Sequence, residues 1–215
     1  ADSTENSNMT SHERISAIFR GNTPDRPGFW LGNPANETKH IYLRQLGIIT
    51  ETDTEGRRDS VLKTGRRTVQ DILLHETFQS DVFWVCPHHD PRYYRHPEGL
   101  PVFGIFGGRP RESLNQPGVF AECEHVSEVE NFPWPDPDYL DLSDSIDYIN
   151  RMHDNRRYIF SGSWAPFFHD LCDFFGMENY FLKMFTHPAV VEAATEKILE
   201  FYLEVNHRLL EEAGD

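Results

Sequence analysis

Apolar residues recur along this chain with two periods, and each change of period marks an element. Thr10-Ser11-His12-Glu13 has the spacing of a capping box, with Thr10 accepting from the third helical amide while Glu13 reaches back. The helix it opens carries Ile15, Ile18 and Phe19 on one face, and Gly21 stops it before Pro24-Asp25-Arg26-Pro27. Gly28-Phe29-Trp30-Leu31-Gly32 reads as a brief strand, and 36–46 as a helix that buries Ile41 and Leu46 and ends at Gly47. Residues 50–67 are polar and non-periodic, which predicts a surface excursion. Val69, Ile72, Leu73 and Phe78 predict a further helix. Val82 to Cys86 is then a continuous apolar run, the pattern of a strand buried on both faces.

Eight prolines between 91 and 138 exclude long helices there. Within that span, Val102 to Phe106 reads as a strand or hairpin arm and Gly107-Gly108 as the turn after it. Ser143-Asp144 caps a helix bearing Ile146, Ile149 and Met152. The stretch YIFSGSWAPFFHD, Tyr158 to Asp170, changes from a short apolar run to helical spacing across Ser161-Gly162-Ser163, which reads as strand, tight turn and helix. Gly176 separates this helix from one over 178–185. Pro188 opens the longest helix, in which Val191, Ala194, Ile198, Phe201, Val205 and Leu209 repeat at three- and four-residue steps as far as about Glu212.

Candidate chemistry gathers at the two strand-to-loop junctions. In α/β proteins ligands bind at the carboxyl ends of strands, and the second junction offers Ser161, Ser163, the Trp164 indole and His169 within ten residues. His169 is a candidate acid or base with a pKa ordinarily near neutrality. A helix-surface histidine bonded to Asp170 or water is an equally weighted reading. At the first junction, Cys86-Pro87-His88-His89-Asp90 holds thiol and imidazole, good zinc ligands. Adjacent ligands interrupted by proline rarely close a tetrahedron, so a substrate-facing role for His88 or His89 is preferred, with Cys86 beside them. Trp30 and Trp164 are candidate stacking walls for a planar ligand, although aromatic side chains more often serve packing. In GIFGGRPR, Gly104 to Arg111, the guanidinium groups of Arg109 and Arg111 could grip a carboxylate or phosphate; a solvent-exposed turn is the commoner meaning of that composition.

Composition narrows the class. The chain has 215 residues, 38% of them hydrophobic, enough for a substantial core in one large domain or two small ones. A formal charge of −15 disfavours nucleic acid and anionic membrane surfaces as partners. No run is apolar enough to span a bilayer, and ADSTENSN lacks the basic and apolar regions of a secretory signal, which predicts a cytoplasmic protein with a disordered leader over 1–8 and a single α/β domain over 9–215. Cys86, Cys123 and Cys172 are odd in number and widely spaced, so reduced thiols are expected.

Several stretches, taken in order, resemble the uroporphyrinogen decarboxylase superfamily: SHERISAIFRGNTPDRP at 11–27, VSEVENFPWPDPD at 126–138, the strand-turn-helix at 158–170, FFGME at 174–178 and the helix ending EAGD. The resemblance implies a TIM-type (β/α)8 barrel. Such barrels take about 250 residues, so an incomplete one of roughly the first four βα units is expected, whose open sheet edge favours a homodimer. In the decarboxylases an arginine-rich RQAGR signature after the first strand holds the substrate's acidic side chains. Here that place is taken by Leu31-Gly32-Asn33-Pro34-Ala35-Asn36, and Asn33 becomes the candidate contact. The local match to their catalytic aspartate motif is Gln79-Ser80-Asp81-Val82. The resemblance therefore implies the methyltransferase branch: methyl transfer between a corrinoid carrier and a thiol, with a small molecule or corrinoid protein as substrate. Zinc and a corrinoid are the implied cofactors, the family's zinc ligands falling outside this chain. Decarboxylation of a tetrapyrrole's acetate groups and a catalytically silent ligand-binding fragment are the alternatives.

Overall fold

The computed structural model describes residues 8–48, 69–87, 89, 91–103, 112–153 and 157–213. Residues 1–7 of the leader expected over 1–8, the expected excursion over 50–67, the expected turn at Gly107-Gly108, His88, Arg109 and Arg111 lie outside them. The elements are α1 (Ser11–Phe19), α2 (Asn36–Gln45), α3 (Val69–Thr77), β1 (Val82–Val85), α4 (Val126–Glu130), α5 (Ser143–His153), β2 (Tyr158–Ser161), α6 (Phe167–Phe175), α7 (Met177–Thr186) and α8 (Pro188–Ala213), with a short 3-10 turn at Pro137–Tyr139. No described helix is long and apolar enough to cross a membrane.

The expected partial (β/α)8 barrel is not what forms. The structure is helix-rich, and its described strands are two, β1 and β2, paired in parallel. The segment 28–32, read as the first strand, is irregular. The reason lies in its hydrogen bonds. The Phe29 amide donates to the Asp81 carboxylate at 2.9 Å, the Leu31 amide to the Ser80 hydroxyl at 3.2 Å, and the Phe29 carbonyl accepts from the Asp81 amide at 2.7 Å. Side chains thus take bonds that a ladder would use. Val102 and Phe103 form a bend, and the rest of the strand expected over 102–106 lies outside the described residues.

The chain divides into two compact units, residues 1–85 with 149–160, and residues 86–148 with 161–215. In the first, the capping box at Thr10 and Glu13 forms as expected. Leu43 and Leu74 are buried against each other, with Leu31, Tyr42, Ile48 and Phe78 around them. Ile41 and Leu46, expected inside, are exposed, because Leu43 points the other side of α2 inward. β1 is buried at Val82, Phe83 and Val85 and half-buried at Trp84.

Immediately before β1 sits the unit's electrostatic centre. The fully buried Asp81 carboxylate accepts from Ser11 Oγ (2.9 Å), Arg14 Nη1 (2.6 Å), both Nη atoms of Arg26 (2.7 and 3.0 Å) and the Phe29 amide. Arg14 also binds Asp25 through Nε at 2.7 Å and Nη2 at 2.8 Å. Burial alone would raise the Asp81 pKa, but the donors from Arg26, Phe29, Ser11 and Arg14 outweigh it and hold it below the usual carboxylate range. Asp25 is lowered too, chiefly by the Arg14 hydrogen bond.

The second unit is built around aromatic side chains. Phe120 stacks on Phe174 with centroids 5.2 Å apart, and Phe132 and Trp134 close on the same ring. α8 buries Val191, Ala194, Ile198, Phe201, Val205 and Leu209, the face its spacing predicts, together with Val190 and Tyr202. Gly118 permits the close approach: a Cβ there would lie 2.2 Å from the carbonyl oxygens of Asp173 and Phe174.

Two outcomes follow for the first unit. Asp81→Asn leaves two guanidinium groups facing a neutral amide and is expected to lower stability by about 3–5 kcal/mol in urea unfolding. Because both aspartates titrate lower folded than unfolded, their contribution is fully present above the ordinary carboxylate pKa of about 3.9 and disappears as pH falls through the lowered folded values. Melting temperature should therefore hold from neutrality to about pH 5 and drop steeply below about pH 4.

Candidate strand-end site

The residues following the two strands meet in the second unit. Gly162, at φ +138°, turns the chain after β2 in a conformation that disfavours any other residue. The next amide, Ser163 N, donates to Asn206 Oδ1 of α8 at 2.6 Å. The one after, Trp164 N, donates to Cys86 Sγ at 3.2 Å. Two successive amides thus pin the loop, one to a helix and one to the thiol that follows β1. Trp164 is left 64% exposed, while the Ser163 hydroxyl oxygen is buried and has no hydrogen-bond partner among the described residues.

Behind the loop lies a buried aromatic layer. Tyr202 of α8 packs against Phe167 at 5.6 Å and its hydroxyl donates to Asp170 Oδ2 at 2.9 Å. Burial, followed by the neighbouring Asp170 charge and that hydrogen bond, raises the Tyr202 pKa well above the phenol range, so the hydroxyl stays protonated. The His89 ring sits 6.0 Å from Tyr202 and 5.8 Å from Phe201. Phe103, which also touches Phe201 and Tyr202, is held at φ +63°. A left-handed backbone at a bulky residue costs about 1–2 kcal/mol, and here burial of the ring against four aromatic neighbours offsets it.

The structure therefore brings together Cys86, Ser163 and Trp164, with Ser161 ending β2 at the start of the same loop, while His89 packs on Phe201 and Tyr202 of α8. His169 stands exposed on the first turn of α6 with its ring 5.8 Å from Phe168, and its neighbour Asp170 is the residue that engages Tyr202. Trp30 and Asn33 belong to the first unit, in its irregular 28–33 segment, both exposed. Asn206, Asp170 and Tyr202 were not legible as site residues. Asn206 and Tyr202 sit among the apolar and charged positions of a long helix, and only a polar amide in mid-helix hints at a role.

Zinc does not fit what is present: among the described residues no group of three or more His, Cys, Asp or Glu side chains is placed to hold a metal ion. No protein-family model, curated protein or solved structure matches this chain.

Asn206→Leu removes the acceptor for the Ser163 amide. It should cost about 1–2 kcal/mol of stability and shift Trp164 fluorescence as the loop loosens, whereas Asn206→Asp, which keeps an acceptor, should leave the emission near wild type.

Proposed function

We propose that the chain is a methyltransferase-like protein of the uroporphyrinogen decarboxylase superfamily kind, and that the loop of Ser163 and Trp164 with Cys86 is the wall against which its small-molecule or corrinoid substrate lies. The observation that carries this reading is the Trp164 amide directed at Cys86 Sγ, with Trp164 itself largely exposed. An N–H donor at sulfur orients the thiol, and an exposed indole offers a face to a planar macrocycle. The ordered motifs at 11–27, 126–138 and 174–178 support the same group, and LGNPAN at 31–36, without guanidinium groups for a tetrapyrrole's acids, supports the methyl-transfer branch. A cytoplasmic setting accords with three reduced cysteines.

The described residues supply binding and orientation, not the zinc ligands of that branch. Tyr202 favours a second reading, a catalytically silent binding module: its protonated hydroxyl is committed to Asp170 and cannot serve as a base.

Titration with methylcobalamin, followed by tryptophan fluorescence and then by loss of its methyl group to added 2-mercaptoethanol, separates these readings. Trp164→Ala is expected to weaken binding about tenfold or more, since a stacked aromatic contributes on the order of 1–3 kcal/mol. Binding unchanged in both Trp164→Ala and Cys86→Ala would remove the site, binding without methyl transfer would leave the silent module, and carbon dioxide release from uroporphyrinogen would replace both with the decarboxylase.

A further inference from the structure

Away from the strand-end loop, the second unit contains a groove of about 800 Å³ between α8 and the proline-rich segment after α4. Its volume is that of a small-ligand site. The apolar surface comes from Phe132 and Trp134 on one wall and Leu203 on the other, and Leu203 is 58% exposed. The Trp134 indole N–H is already spent on the Val129 carbonyl at 2.7 Å, so this ring offers the groove an apolar, electron-rich surface rather than a donor. Around it stand three carboxylates, Glu130, Glu200 and Glu204, against one lysine ammonium, Lys197. Lys197 binds Glu200 at 2.7 Å, and Arg208 binds Glu204 at 2.7 Å from outside the lining. Each carboxylate keeps further acceptor positions.

We propose that this groove binds a linear aliphatic polyamine. Charge selects a cation, and the aromatic and leucine surface selects one with an apolar body, whose ammonium groups also gain from lying over aromatic faces. Spacing selects the polyamine. Glu200 and Glu204 are four residues apart on α8, about 6 Å along the axis, which matches ammonium groups separated by four methylenes. Glu130, across the groove, meets the remaining charge.

Calorimetric titration of the full chain with spermidine at about 0.15 M salt tests this. Saturable binding at one site is expected. Glu200→Gln with Glu204→Gln should weaken it about tenfold or more, while Glu192→Gln with Glu196→Gln, the same charge change on the same helix outside the groove, should leave it unchanged. Should the first pair fail to fold, Leu203→Arg sets a fixed cation at the groove mouth and should abolish binding. Absence of binding, equal weakening by both pairs, displacement by magnesium chloride of equal charge, or binding of a lysine-rich peptide but not spermidine would overturn the proposal.

Discussion

The first unit depends on a single buried carboxylate. Asp81 collects donors from Ser11 and Arg14 in α1, from Arg26 in the following loop and from the Phe29 amide. Its own backbone is tied as closely, since its amide bonds Phe29 and its carbonyl accepts the Tyr158 amide at the start of β2. A carboxylate removed from water is tolerated only when its lone pairs are occupied and its charge is balanced. Both conditions are met here, and meeting them sets where α1, the 25–29 loop and both strands lie. The same occupancy gives Asp81 a structural task, since its oxygens are committed to five donors that hold its pKa below the usual carboxylate range.

The second unit is organised differently. Its order comes from aromatic packing, with Phe120, Phe132, Trp134 and Phe174 in mutual contact and α8 laid along them. Such a core is directional, because rings prefer offset and edge-to-face arrangements. It holds Phe103 in a backbone conformation that a smaller side chain would not repay. The core also fixes α8, and α8 in turn supplies Asn206 to the strand-end loop and Glu200 and Glu204 to the groove. One helix thus serves packing along one face and polar contacts along two others.

Exposed apolar side chains remain on α6 and α7, where Phe168 and Phe181 pack together and Phe185 is 86% exposed.

What local sequence determined was element type. The capping box at Thr10, the apolar run at 82–86, the stop at Gly176 and the 3.6-residue repeat of α8 each act over a few residues, and each formed. Tertiary structure decided what those elements became. Phe29 to Leu31 has the composition of a strand, yet the Ser80 and Asp81 side chains, some fifty positions away in the chain, take its hydrogen bonds, and the expected barrel does not assemble. Cys86 and Trp164 were visible as reactive and aromatic residues, but their junction through one backbone amide across 78 positions was not. Asn206 offered no more than a polar amide in mid-helix, since its role exists only where α8 passes beneath the Gly162 turn. Periodicity reports which face of an element is apolar. Long-range hydrogen bonds between particular atoms, set by how those faces pack, decide which polar residues meet.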